Sequence, residues 1–123
     1  MPQKILLIED ETIIMELLQK KLIGAGFDVT VARDGKAGLD ALREAKPDLV
    51  LLDIIMPKMT GFEVMEEMQK DPELKDIPVI IISNSGQPVE ISKIKQLGAR
   101  DWLIKTEFDP EEVIKKIRQQ IGD

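Results

Sequence analysis

The sequence predicts an α/β fold in which five short strands alternate with five helices around one parallel sheet. Short apolar runs rich in β-branched residues alternate with segments of helical periodicity along the 123 residues. Three of these runs are apolar without interruption, which is typical of strands buried on both faces of a sheet. Crossovers between such parallel strands are right-handed and place helices on both faces.

The strands of this sheet can be ranked by their apolar character. KILLI at 4–8, LVLL at 49–52 and VIII at 79–82 are continuous apolar runs and are predicted to be central. DVTVA at 28–32 alternates apolar and polar residues, which indicates an edge strand, and DWLIK at 101–105 is predicted to be the other edge. The flavodoxin-like order 2-1-3-4-5 of a doubly wound parallel five-stranded sheet satisfies this ranking. The chain is too short for a closed eight-unit barrel.

Capping and stop signals define the helices. Helices are predicted over 12–23, 35–45 and 88–97, and others open at the capping box Thr60-Gly-Phe-Glu63 and at Asp109-Pro110. Helical spacing predicts inward faces made of Ile14, Leu17, Leu18 and Leu22 in the first helix, and of Ala37, Ala41, Leu42 and Ala45 in the second.

The composition excludes several kinds of functional site. The chain has no cysteine and no histidine, so disulfides, a Ser-His-Asp triad and a zinc site of the usual ligands are excluded. A net charge of −6 argues against a nucleic-acid surface, and the apolar runs are far shorter than a membrane span. The N-terminus lacks the basic and apolar regions of a secretory signal. We expect a single domain over 1–123, in a cytoplasmic protein with no membrane insertion.

Polar side chains follow the predicted strands at one edge of the sheet. Glu9 and Asp10 follow the first strand, Asp53 the third, Ser83 the fourth and Lys105 the fifth. Strands one and three are neighbours in the predicted order, so the three carboxylates are expected to converge. Two carboxylates about 4 Å apart repel by roughly 4 kcal/mol at an effective dielectric constant of about 20. The cluster therefore calls for raised pKa values or a cation, and Mg²⁺ suits these oxygen ligands best.

Four stretches together closely resemble the receiver domains of response regulators in two-component signalling. They are ILLIEDE at 5–11, LVLLDIIMPKMTGFE at 49–63, VIIIS at 79–83 and GARDWLIK at 98–105. The specific combination is an acid pair, D-x-x-M-P-x-x-x-G, a hydroxyl after the fourth strand and a lysine after the fifth. The resemblance covers essentially the whole chain, and by size it is nearest to the small chemotaxis-type single-domain regulators.

The resemblance implies a role for each matching residue. Asp53 matches the phosphoacceptor, which forms an aspartyl phosphate. Asp10 matches the main acidic Mg²⁺ ligand, with Glu9 as its partner and the backbone carbonyl of Ile55 as a third protein ligand.

Three further residues match the switch that follows phosphorylation. Ser83 matches the switch hydroxyl and Lys105 the lysine that pairs with the phosphoryl group. Trp102 stands where the family carries a tyrosine or phenylalanine that changes rotamer.

The resemblance implies a phosphoacceptor switch and not an enzyme. Such a switch promotes only its own phosphorylation and dephosphorylation. The implied donor is a sensor histidine kinase or a phosphotransfer protein. The surface of helix four, strand five and helix five would then bind a downstream protein partner, with no direct contact to nucleic acid. The cognate kinase, the output and the oligomeric state are left open.

The sequence departs from the family pattern at three positions. Thr106 replaces the usual proline, so the Lys105–Thr106 bond is either trans, or cis with strain. Asn84 is bulkier than the usual alanine. Ile55 offers no polar side chain to orient an attacking water, which predicts an aspartyl phosphate that lasts many minutes or longer.

Three alternative functions compete with this interpretation. A Mg²⁺-dependent phosphohydrolase would need a D-x-D arrangement after the first strand, but Asp10 is followed by Glu11 and Thr12. A flavin-binding module would need a neutral phosphate loop there, and the run of acids would repel a phosphate. A receiver-like domain that no longer accepts phosphate is the third, and it depends on Thr106 and Asn84.

Overall fold

The computed structural model of the protein describes residues 2–83, 88–105 and 109–122, and for 88–90 it describes the backbone alone. The strands are β1 (Lys4–Ile8), β2 (Asp28–Ala32), β3 (Leu49–Asp53), β4 (Val79–Ser83) and β5 (Asp101–Ile104). The helices are α1 (Thr12–Gly24), α2 (Gly35–Ala45), α3 (Gly61–Lys70), α4 (Pro88–Gln96) and α5 (Pro110–Ile121). Each strand lies where the sequence predicts it, within one residue at its carboxyl end.

The five strands form one sheet in the order β2-β1-β3-β4-β5, and all paired strands are parallel. This confirms the predicted flavodoxin-like order. Ile8 of β1 lies opposite Leu52 of β3, and Asp53 lies opposite Ile82 of β4. The carboxyl ends of the three central strands therefore reach the same edge of the sheet. None of the described helices is long and apolar enough to cross a membrane.

Alternate side chains of each strand point to opposite faces, so the sheet separates two apolar layers. One layer packs β1, β3 and β4 against α2, α3 and α4; its members include Ile8, Leu52, Ile81, Leu42, Met65 and Ile94. The other packs the same strands against α1 and α5; its members include Leu7, Leu51, Ile80, Leu18 and Ile117. The central strands are buried on both faces, as their uninterrupted apolar sequences predict.

The predicted inward faces of the first two helices are partly wrong. In α1 the buried residues are Met15, Leu18 and Leu22, and Leu17 is 48% exposed. Leu17 lies one position from Leu18, so the helix turns it about 100° away from the sheet.

The inward face of α2 differs in the same way. Gly38 and Leu39 are buried, whereas Ala37 is exposed. A Cβ at position 38 would lie 2.5 Å from the Cδ1 of Ile8, so the glycine lets this helix approach β1 closely.

The predicted capping box of α3 is present. The backbone N–H of Glu63 donates to Thr60 Oγ1 at 3.2 Å, and the N–H of Thr60 donates to Glu63 Oε1 at 3.1 Å. At the start of α5 the predicted cap Asp109 accepts a hydrogen bond from the N–H of Glu111 at 2.7 Å. The capping box fixes the beginning of α3 a few residues after β3 ends.

Gly61 allows this beginning of α3 to press against the end of β3. Its N–H donates to the carbonyl oxygen of Ile54 at 2.8 Å. A Cβ at position 61 would collide with the carbonyl oxygen of Asp53 and would lie 2.8 Å from the Cα of Ile54. The glycine of the D-x-x-M-P-x-x-x-G motif is thus required by close backbone approach beside Asp53.

We expect Gly61→Ala to lower the free energy of unfolding by about 1–3 kcal/mol, because the backbone must shift to accommodate the methyl group. Urea denaturation measures this change. Gly24→Ala is the matched control, since a Cβ there meets nothing within 4 Å at the end of α1. The control should be neutral or stabilising by up to about 1 kcal/mol. Equal stability of the parent and Gly61→Ala would contradict the close-approach explanation.

Candidate functional site

Three carboxylates meet where β1 and β3 end. Glu9, Asp10 and Asp53 each offer one oxygen, and these oxygens all lie within 4.8 Å of one another. Glu9 is fully buried, Asp53 is 1% exposed and Asp10 is half-buried. The structure therefore brings together the three acids that the strand order places at this edge.

The side chain of Lys105 lies against this cluster and is itself buried. Its Nζ is 3.0 Å from Asp53 Oδ2 and 3.2 Å from Glu9 Oε1. It also lies 2.8 Å from Oε1 of Glu11, an acid that the sequence analysis left without a role. One ammonium thus faces three carboxylates, and Asp10 adds a fourth to the same pocket.

Burial raises the pKa of Asp53 from 3.8 to about 7. The hydrogen bond from Lys105 opposes this rise, and the negative charge of Glu9 adds to it. Burial also works to lower the pKa of Lys105. The hydrogen bonds with Glu11 and Asp53, together with nearby negative charge, outweigh burial and raise that pKa above its usual range. Near neutral pH, Asp53 therefore exchanges between its ionised and protonated forms while Lys105 stays charged.

The chemistry of this donor set fits a hard cation. Within the described part of the chain, Glu9 Oε1 and Asp53 Oδ1 are buried and accept no hydrogen bond. The ammonium 3.2 Å from Glu9 Oε1 gives an ionic contact without hydrogen-bond geometry. Buried carboxylate oxygens that accept no hydrogen bond carry a desolvation cost, which a divalent ion would offset. Three carboxylates with spare oxygens are ligands that Mg²⁺ accepts.

The structure also places the remaining predicted residues. Ser83 is buried at the end of β4, and its carbonyl oxygen accepts a hydrogen bond from the N–H of Lys105 at 2.8 Å. The side chain of Ile55 is 65% exposed in the segment after β3. Trp102 is half-buried in β5 and packs against the α4 side of the sheet, with the Nζ of Lys95 5.2 Å from its ring centroid. Asn84 and Thr106 lie outside the described residues, and so does the geometry of the Lys105–Thr106 bond.

Glu11 is the site residue that sequence reasoning missed. It occupies the N-cap position of α1, yet its side chain makes no capping hydrogen bond. Its backbone N–H donates to Glu9 Oε2 at 2.9 Å. The available signal was its place directly after the acid pair, at a position where a capping side chain would normally turn toward the helix.

Comparisons with known proteins agree with this geometry. The family model described as "Response regulator receiver domain" matches residues 5–118. The DNA-binding response regulator MtrA of Mycobacterium tuberculosis is 34% identical over 121 residues, which are 98% of this chain and 51% of that protein. The chain spans about half the length of the curated relatives it matches.

Two solved structures are similar over nearly their whole lengths. The chemotaxis protein CheY4 of Vibrio cholerae has a TM-score of 0.91 at 29% identity, over 98% of this chain and 99% of that one. The phosphorylated cyanobacterial phytochrome response regulator RcpA has a TM-score of 0.84 at 31% identity, over 98% of this chain and 94% of that one.

The raised pKa of Asp53 predicts a pH-dependent gain in stability on Asp53→Asn. The folded state holds the Asp53 proton more tightly than the unfolded state, so the free energy of unfolding falls as the pH rises from about 4 through about 7. The asparagine variant cannot ionise and escapes this loss. Above a pH of about 7 it should exceed the parent by up to about 4 kcal/mol, and below a pH of about 4 the two should approach each other.

Urea denaturation without divalent metal, from about pH 5 to about pH 8, tests this dependence. Asp40→Asn, on the exposed face of α2, is the control. Parallel stability curves for the parent and Asp53→Asn over this range would contradict the prediction.

Proposed function

Since the chain belongs to the response regulator receiver domain family, we propose that it is a phosphoacceptor signalling domain in which Asp53 is the phosphorylated residue. The donor we propose is a sensor histidine kinase or a phosphotransfer protein. The observation that carries the proposal is the convergence of a buried carboxylate, a buried lysine and two further acids at one edge of the sheet. The phosphorylated state of the similar RcpA structure supports the same chemistry.

The two carboxylate oxygens of Asp53 differ in their hydrogen bonds. Oδ2 accepts a hydrogen bond from Lys105 at 3.0 Å, whereas the buried Oδ1 accepts none from the described residues. A carboxylate oxygen of ionised Asp53 attacks the phosphorus atom, an O–P bond forms, and the P–N bond of a phosphohistidine donor breaks. The imidazole leaves with the electron pair of that bond and takes a proton from water. Only ionised Asp53 reacts, and a bound cation favours this form because its positive charge lowers the pKa that burial raises.

Glu9, Asp10, Asp53 and the backbone carbonyl of Ile55 would hold Mg²⁺. When bound, the ion supplies positive charge that offsets the carboxylates and the charge developing on the phosphoryl oxygens. Lys105 contributes a second positive charge from the β5 side, where its ammonium can donate to a phosphoryl oxygen.

Ser83 and Trp102 would carry the signal away from the pocket. Phosphorylation adds strong acceptor oxygens beside the end of β4, and the Ser83 hydroxyl is the group that would donate to them. The hydrogen bond between the Lys105 N–H and the Ser83 carbonyl links the ends of β4 and β5. A shift of one strand end would therefore displace the other. Trp102 then changes rotamer, and the altered surface of α4, β5 and α5 binds a downstream protein partner.

We further propose that residues 1–123 form one domain that acts as a switch in the cytoplasm. This domain turns over no separate substrate and does not itself contact nucleic acid. Its net charge of −6 supports the last point, because phosphate backbones attract basic surfaces. The DNA-binding relative MtrA is about twice as long as this chain.

The first prediction of this proposal is that acetyl phosphate with Mg²⁺ adds one phosphoryl group to the parent and none to Asp53→Asn. Removing the nucleophilic oxygen abolishes the O–P bond, and leaving out Mg²⁺ should slow labelling strongly. Intact-mass spectrometry measures the adduct, with Asp40→Asn as the control. Equal labelling of Asp53→Asn and the parent would overturn the assignment of Asp53. Turnover of a phosphate ester would instead favour a phosphohydrolase.

The second prediction concerns the lifetime of the adduct. The apolar side chain of Ile55 cannot orient a water for attack on the phosphorus, so the aspartyl phosphate of the parent should last many minutes or longer. Ile55→Asn adds an amide at the same place and should shorten that lifetime. Ile13→Asn, which replaces another exposed isoleucine on α1, is the control. A half-life of seconds in the parent would contradict the prediction.

A further inference from the structure

The shortest contact of the Lys105 ammonium is made by the acid that lies farthest out of the pocket. Nζ lies 2.8 Å from Glu11 Oε1, compared with 3.0 Å to Asp53 Oδ2 and 3.2 Å to Glu9 Oε1. The Glu11 side chain is 52% exposed, whereas the other two acids are buried. Glu11 therefore pulls the ammonium toward the mouth of the pocket, against the pull of the two buried acids.

The side chain of Glu11 is directed to Lys105 and not to the first turn of α1. The residue stands at the N-cap of α1 with an extended backbone, a position where short side chains such as serine or aspartate accept a hydrogen bond from the first turn. Its side chain makes no such bond and reaches Lys105 instead. Its backbone N–H meanwhile holds Glu9 Oε2 at 2.9 Å. One residue thus orients both Glu9 and Lys105.

We propose that Glu11 is a positioning residue that holds the Lys105 ammonium at the mouth of the pocket and so keeps the acids of the cluster available to a divalent cation. The inference rests on the proposed function, since that function gives the acids and the lysine their roles. An ammonium carries three N–H donors. Without Glu11, the released donor turns inward toward Asp53 Oδ1 and Glu9 Oε1, the two buried oxygens that accept no hydrogen bond from the described residues. The ammonium would then compete with Mg²⁺ for those oxygens.

The test separates the contact of Glu11 from its charge. Glu11→Asp keeps the charge but is one methylene too short to reach Lys105, and aspartate is a good N-cap, which protects the fold of α1. Glu11→Gln keeps the length and loses the charge. Glu16→Gln removes an exposed charge elsewhere on α1 and is the control.

Two readouts are taken as Mg²⁺ is added. The first is the melting temperature, compared with that of the metal-free protein. The second is the rate of labelling by acetyl phosphate. We expect Glu11→Asp to raise the half-saturating Mg²⁺ concentration about three- to tenfold in both readouts, as the loss of one charge-assisted hydrogen bond implies. The maximal labelling rate does not decide the proposal, because the Lys105 ammonium that Glu11 holds also takes part in the chemical step.

The proposal is overturned if Glu11→Asp keeps the half-saturating Mg²⁺ concentration of the parent, because charge alone would then explain the site. Glu11→Gln, whose amide oxygen can still accept a hydrogen bond from Lys105, should change that concentration less than Glu11→Asp does, and the opposite order would also overturn the proposal. The melting readout needs no phosphorylation and decides the role of Glu11 by itself. Absence of an adduct in the parent, despite a rise in melting temperature with Mg²⁺, would instead count against the proposed function.

Discussion

The charge imbalance at the carboxyl edge of the sheet is the constraint on which the site depends. Among the residues that the structure describes, one buried ammonium, that of Lys105, faces the carboxylates of Glu9, Glu11 and Asp53 within 3.3 Å. The fold tolerates this arrangement because the buried Asp53 has a raised pKa and Lys105 stays charged. A pocket that is too negative for its own cation has an affinity for a second cation and, once that cation is present, for a phosphoryl group.

The parallel sheet is what holds these like charges together. Glu9 directly follows β1 and Asp53 ends the adjacent strand β3, so their positions follow from the register of these two strands. The backbone segments that carry these acids could not move apart without disrupting two apolar layers, each packed around the same central strands. Gly61 adds a local restraint, because the start of α3 rests directly on the backbone of Asp53 and Ile54. Hydrophobic packing thus supplies the free energy that keeps the acids close.

Features set by local sequence could be predicted, and features set by packing could not. Strand order followed from the apolar runs, and the capping box at Thr60 followed from its residue types. The inward faces of α1 and α2 were partly wrong, because neighbouring apolar residues such as Leu17 and Leu18 compete for the sheet and only packing decides between them. The convergence of Glu9 and Asp53 followed from strand order. The link from Glu11 to Lys105 did not, because it joins residues that are distant in sequence and depends on where the lysine side chain ends.

The contact between Lys95 and Trp102 has a consequence for spectroscopy. The sequence contains one tryptophan, so its emission comes from a single known place in β5. An ammonium 5.2 Å from the indole centroid is close enough to influence the electronic environment of the ring. A change in the spacing between α4 and β5 would therefore alter the intensity of the native emission. The protein carries an intrinsic optical reporter on that face, and its motions can be followed in solution without attaching a dye.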